Sequence, residues 1–149
     1  MRNLKAVEVY HILKDVLISG MSVKGQRAIL KNLRSLKPLA EDYSAAVQEA
    51  QEKMKPEGFE DIQRKANTHN EAVKAGVQNG LLSGEELMIV TTIYTDYNKN
   101  FTLYVNELNE EEKQVDICTL SEEDFGVLIS TNDKKNRSWK VCFIGGSSM

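Results

Sequence analysis

Four cationic side chains recur at helical spacing near the amino-terminal end of the chain. The row consists of Lys24, Arg27, Lys31 and Arg34. Steps of three and four residues place them on one face of an α-helix, where they could bind phosphates, acidic lipids or an acidic protein surface. The same face could equally be solvated and neutralised by the acidic remainder of the chain. No glycine-rich loop or interleaved aromatic accompanies the row, so the sequence does not predict recognition of bases.

The histidines and cysteines show no arrangement that is typical of catalysis or metal binding. His69 falls at a helical seam position, where a polar residue more often fixes helix register, and His11 stands apart from it. Cys118 and Cys142 form no CxxC pair and have no histidine nearby, so we expect no metal site. A reduced pair and a disulfide between these two cysteines both stay open.

Carboxylate clusters and tyrosines are the remaining candidates for acid–base or ligand chemistry. Glu85, Glu86 and residues 122–124 stand where helices begin, so their simplest role is a favourable interaction with the helix dipole. A row of aromatics around Tyr94 and Tyr97 could line a ligand groove, although such rows more often form core. The chain contains no nucleophile motif, phosphate loop or dinucleotide fingerprint. We therefore predict a protein that is not an enzyme and has no catalytic residue, metal or cofactor.

Two heptad rows predict that these side chains are carried by long, packed α-helices. The first row consists of Leu87, Val90, Tyr94, Tyr97, Phe101, Tyr104 and Leu108. The second row consists of Ile29, Leu33, Leu36, Ala40, Tyr43, Val47, Ala50 and Met54. Because such spacing keeps one stripe against a neighbouring helix over several turns, we interpret the first row as a structural seam of the core.

Local end signals divide most of the chain into helices. Four long helices are predicted over residues 4–19, 22–55, 57–78 and 83–112, with a kink or short break near Pro38. Gly20 is expected to end the first helix, and Ser22 and Ser83 are expected to cap the second and the fourth. Ser121 with Asp124 predicts a short further helix through Ser130.

The remaining chain alternates with period two, which is typical of strands. Residues 115–118 and 139–144 are expected to pair as a two-stranded ribbon packed on the helices. The predicted fold class is therefore mainly α, with an antiparallel bundle of about four long helices and coiled-coil-like seams over residues 1–113. Residues 114–149 form a small α+β tail on that bundle, and the whole is expected to be one structural domain.

Composition sets the class of protein. The chain has 149 residues, 41% hydrophobic and 28% charged, which suits one globular domain with a real core. It has no run of eighteen apolar residues and no apolar segment typical of an export signal, so we expect no membrane partner and an intracellular location. The net charge of −3 conceals an asymmetry, because residues 1–38 hold eight cations against Glu8 and Asp15.

Three segments resemble small helical proteins of tailed bacteriophages and prophages. They are residues 28–40 (AILKNLRSLKPLA), residues 49–55 (EAQEKMK) followed by Gly58 and Phe59, and residues 120–125 (LSEEDF) continuing to STND at 130–133. The resemblance implies a gene lying among virion structural or assembly genes, in the host cytoplasm and in the virion. It carries no established chemistry.

These observations favour a non-enzymatic protein-interaction module that acts as a phage structural or assembly accessory. Its expected partners are phage structural or assembly proteins, and long arms with uncovered apolar stripes also favour a homo-oligomer. The alternative is a nucleic-acid-associated protein that uses the basic face of the second helix, although the acidic remainder argues against a nucleic-acid partner. An enzyme with a site among the tyrosines is the third hypothesis.

Overall fold

The chain is mainly helical, as its heptad rows predict. A computed structural model describes residues 1–132. The helices of this part are α1 (Asn3–Leu13), α2 (Val23–Lys53), α3 (Phe59–Ala75), α4 (Gly84–Glu110) and α5 (Glu122–Asn132). The second helix passes through Pro38 without a break. Gly76, in the left-handed conformation at φ 69°, ends α3 three residues earlier than the sequence predicts.

The chain forms two compact units. The first contains Met1–Ala46 and the described residues from Glu107 onward, and the second contains Val47–Asn106. Both α2 and α4 are continuous through the two units. The single four-helix bundle over residues 1–113 and the α+β tail over residues 114–149 stay predictions, and residues 133–149 of that tail lie outside the described part.

The core of the first unit is aliphatic and combines α1, α2, α5 and the segments between them. Its buried members are Ala6, Val9, Leu13, Met21, Ile29, Leu36, Leu120 and Leu128. Ala6, Val9 and Leu13 are the residues of α1 that belong to this core. In the second heptad row, Ile29, Leu36, Ala40 and Ala50 are buried, whereas the other four are half-buried.

Asp124 completes the start of α2 from the neighbouring helix α5. The Ser22 hydroxyl accepts the backbone N–H of Gly25 at 3.1 Å, which confirms Ser22 as the predicted N-cap. In a capping box, the third helical residue would return its own side chain to the N–H of the cap. Gly25 has no side chain there, and Asp124 Oδ1 accepts the Ser22 N–H at 2.8 Å instead. A Cβ on Gly25 would lie 2.5 Å from that carboxylate, so the glycine leaves space for the Asp124 side chain.

The same carboxylate should make folding stability sensitive to acid. Hydrogen bonds from the Ser22 hydroxyl and N–H hold the pKa of Asp124 below its usual range, and Ser121 and Lys24 act in the same direction. A lowered folded-state pKa stabilises the protein above the unfolded value of about 4, and this contribution is lost as the pH falls through the folded value. Urea unfolding between about pH 6 and pH 3 should therefore show a shallower acid loss for Asp124→Asn than for the unchanged protein.

The control for this measurement is Asp116→Asn, which makes the same change of charge at an exposed site in the segment before α5. Its acid loss should match that of the unchanged protein. Equal acid loss for all three proteins would show that Asp124 carries no pH-dependent stability.

Two buried asparagine side chains act as clamps, because each bonds to both the N–H and the carbonyl of one distant residue, as a neighbouring strand would. Asn32 Nδ2 donates to the Cys118 carbonyl at 3.0 Å, and Asn32 Oδ1 accepts the Cys118 N–H at 2.7 Å. Asn132 Nδ2 donates to the Leu17 carbonyl at 3.0 Å, and its Oδ1 accepts the Leu17 N–H at 2.9 Å. Each amide thus satisfies both backbone groups of one residue that belongs to no helix.

These clamps bear on two predictions, the two-stranded ribbon, which stays a prediction, and the end of the first helix, which is wrong. Residues 115–118 form no strand with any described residue, and Asn32 takes both backbone groups of Cys118. The predicted partner strand at 139–144 lies outside the described residues. The first helix ends at Leu13 and not at Ser19, because the Leu17 N–H and carbonyl bond to Asn132 and cannot continue a helical ladder. Gly20 therefore ends no helix.

The second unit contains an antiparallel hairpin of α3 and α4. The Phe59 ring contacts those of Tyr94 and Tyr97 at centroid distances of 5.2 and 4.8 Å. Near the other end, the Leu82 N–H donates to His69 Nδ1 at 3.0 Å, so the seam histidine holds the turn between the helices. The Ser83 hydroxyl accepts the Glu86 N–H at 3.2 Å, which confirms the predicted cap of α4.

Candidate functional site

The predicted basic face forms on α2 and is open to solvent. Lys24, Arg27, Lys31 and Arg34 are all exposed and share the side of the helix opposite the buried Ile29. Lys24 is close enough to the Asp124 carboxylate to help lower its pKa. Arg27, Lys31 and Arg34 form no ion pair with any residue of the described part, so three of the four charges are not neutralised there.

Two aliphatic side chains that sequence reasoning missed lie along this basic face. Val23 is 72% exposed and Leu30 is 48% exposed. At 100° per residue, both side chains project beside the row. Val23 lies one turn before Arg27, and Leu30 lies one turn from both Arg27 and Arg34. The row ends one turn later, where Lys37 pairs with Glu41 at 3.9 Å. The structure thus groups positive charge and apolar surface over about three turns of α2.

The predicted seam of α4 is less buried than a core row should be. Val90 is buried, Tyr94, Tyr97, Phe101, Tyr104 and Leu108 are half-buried, and Leu87 is exposed. Tyr97 stacks on Phe101 at 6.2 Å, and its hydroxyl donates to the Gln51 carbonyl at 3.0 Å. The row therefore packs on one side and remains open on the other.

Beside Leu87, Val90 and Tyr94 of this row lies a groove of about 480 Å³ between α3 and α4, within the usual range of ligand pockets. Its lining consists of Ala66, Asn67, His69, Asn70, Leu87, Val90, Thr91, Tyr94, Thr95 and Asn98. Amides and hydroxyls surround an apolar floor, and none of these ten residues is Asp, Glu, Lys or Arg. Tyr94, which the sequence offered as a candidate for lining a groove, belongs to this lining, whereas Tyr97 does not.

Two titratable side chains of the described part take part in hydrogen bonds between distant segments. His69, which lines the groove, accepts the Leu82 N–H at its Nδ1. Burial, together with nearby Glu8, raises the pKa of Tyr43, whose hydroxyl donates to Asn109 Oδ1. Among residues 1–132, no three His, Cys, Asp or Glu side chains come together as a metal site. A disulfide involving Cys142 lies outside the described residues.

No helix within residues 1–132 combines the length and apolar character needed to cross a membrane. The chain matches no protein family, and no curated protein or solved structure is significantly similar to it.

Proposed function

We propose that the protein is a non-enzymatic interaction module whose basic face on α2 binds an acidic, partly apolar segment of a protein partner. In this proposal it serves as a structural or assembly accessory of a tailed bacteriophage, in the host cytoplasm or the virion. The exposure of Arg27, Lys31 and Arg34 without a described counter-ion is the observation that supports it most. The resemblance of three segments to phage proteins supports the setting.

The aliphatic side chains favour a protein partner over a nucleic acid. A phosphate backbone would leave Val23 and Leu30 in water, whereas an amphipathic acidic helix would cover them while pairing its carboxylates with the cations. Charge also matters beyond the face, because the net charge of −3 opposes approach of a polyanion. Nucleic-acid binding through the same four cations remains the alternative.

The test uses the full chain and a defined probe. The probe is an amphipathic helical peptide with Leu along one face at heptad spacing and Glu along the face beside it. Replacement of Lys24, Arg27, Lys31 and Arg34 by glutamine should weaken peptide binding by about tenfold or more, because four charge pairs are lost. Leu30→Ser should also weaken it, since the probe then loses an apolar contact. Fluorescence anisotropy of a labelled peptide measures both effects.

A matched control removes four positive charges from the second unit through Lys53→Gln, Lys65→Gln, Lys74→Gln and Lys99→Gln. These lysines are exposed, and the change of net charge is the same. Binding that falls equally in both quadruple variants would contradict a specific face. Binding of duplex DNA that the first set abolishes, with a log–log salt slope of about −3 to −4, would instead establish the alternative.

A further inference from the structure

One side of α4 carries exposed aliphatic side chains between carboxylates. Met88 is 71% exposed and Ile89 is 59% exposed. The side chains of Glu85 and Asp96 are exposed as well. On a helical projection of 100° per residue, these four fall within an arc of about 100° on the side away from the buried Val90. They are the outer face of α4.

This outer face is acidic, and its charge is not neutralised within the described part of the chain. Residues 84–98 hold three carboxylates and no cation. None of the ion pairs among residues 1–132 includes Glu85, Glu86 or Asp96. The next charged residue on the same side of the helix is Lys99, so the acidic part ends at Asp96.

The basic face of α2 has the opposite charge over a similar length. Residues 23–40 hold five cations and no carboxylate. The row from Lys24 to Arg34 extends about 15 Å along α2, and the outer face from Glu85 to Asp96 extends about 17 Å along α4. Each of the two faces also includes two exposed aliphatic side chains.

The charges of the two faces select each other as partners. When they meet, carboxylates pair with exposed ammonium and guanidinium groups, and aliphatic surface of both helices leaves water in the same contact. Either face placed against its own copy would bring like charges together. The complementary contact therefore joins two different faces of two copies.

We propose that the basic face of α2 binds the outer face of α4 in a second copy of this chain. The inference rests on the proposed function, because it identifies the acidic, partly apolar segment that the basic face binds. The contact is heterologous, so a pair of copies keeps one face of each kind free and can add further copies.

Sedimentation of the full chain and of two matched double variants tests this contact. The outer-face variant carries Glu85→Lys and Asp96→Lys. The control carries Glu57→Lys and Glu71→Lys, which make the same change of net charge at exposed sites of the second unit. The unchanged protein and the control should self-associate at high micromolar concentration. The outer-face variant should associate about tenfold or more weakly, because its lysines would meet the cations of α2.

A mixture of two defective variants distinguishes this contact from symmetric self-association. The quadruple glutamine variant of the basic face retains the outer face, and the outer-face variant retains the basic face. Each should remain mainly monomeric alone, as a folded chain by circular dichroism. An equimolar mixture should form pairs and no larger species, because only one kind of intact contact is available.

Binding of the helical probe peptide separates failure of this inference from failure of the proposed function. At protein concentrations too low for self-association, the outer-face variant should bind the peptide like the unchanged protein, because its basic face is intact. An unchanged protein that stays monomeric at high micromolar concentration would overturn the inference, as would an outer-face variant that associates like its control. Peptide binding that still depends on the basic face would then leave the proposed function with a different protein as partner.

Discussion

Leu36→Ala is expected to lower the free energy of unfolding by about 2–5 kcal/mol. The Leu36 side chain is completely buried in the core of the first unit, so truncation loses the transfer free energy of its methyl groups and leaves a cavity. Urea unfolding followed by circular dichroism measures the change.

The control is Leu30→Ala, the same substitution in the same helix at a side chain that is 48% exposed. It should change the free energy of unfolding by no more than about 0.5 kcal/mol. Similar values for the two variants would mean that Leu36 does not lie in a packed core.

Asn32→Ala is expected to cost about 2–4 kcal/mol of folding stability. Asn32 is 1% exposed, and its amide satisfies both the N–H and the carbonyl of Cys118. Alanine leaves these two backbone groups without their partner and opens a cavity beside α2. The chain around Cys118 should loosen first, because Lys113 and Leu120 on either side keep their bonds to Met1 and their place in the core.

Hydrogen exchange at the Cys118 amide separates this local effect from a general loss of stability. Exchange at that amide should accelerate more than at amides of α1 and α5. Asn100→Ala, at an exposed asparagine of α4, should leave both stability and exchange near their original values. Equal acceleration of amide exchange across the whole first unit would contradict a local role for Asn32 at Cys118.

The sequence by itself predicted the features that depend on neighbouring residues. Ser22, Ser83 and Ser121 cap helices where expected, because an N-cap needs only a side-chain oxygen and an amide three residues later. The spacing of Lys24, Arg27, Lys31 and Arg34 also correctly predicted an exposed face, since side-chain direction follows from helix geometry alone.

The tertiary structure decided every feature that depends on a distant partner. Leu13 ends α1 because Asn132, 115 residues after Leu17, takes the backbone groups that a longer helix would use. The period-two pattern of 115–118 predicts a strand, and within the described residues it is Asn32, 86 residues away, that bonds to both backbone groups of Cys118. No local signal distinguishes a clamping asparagine from an exposed one, because the same amide forms hydrogen bonds with water equally well.

The groove between α3 and α4 depends both on a local sequence pattern and on a distant partner. The heptad row predicts that Leu87, Val90 and Tyr94 face a neighbouring helix, and these three residues line the groove. Which side stays open depends on where α3 lies, and packing between helices determines that. The sequence therefore determined the helices, their caps and their charged faces, while tertiary contacts determined their ends and the surfaces left uncovered, because those contacts join residues far apart in the chain.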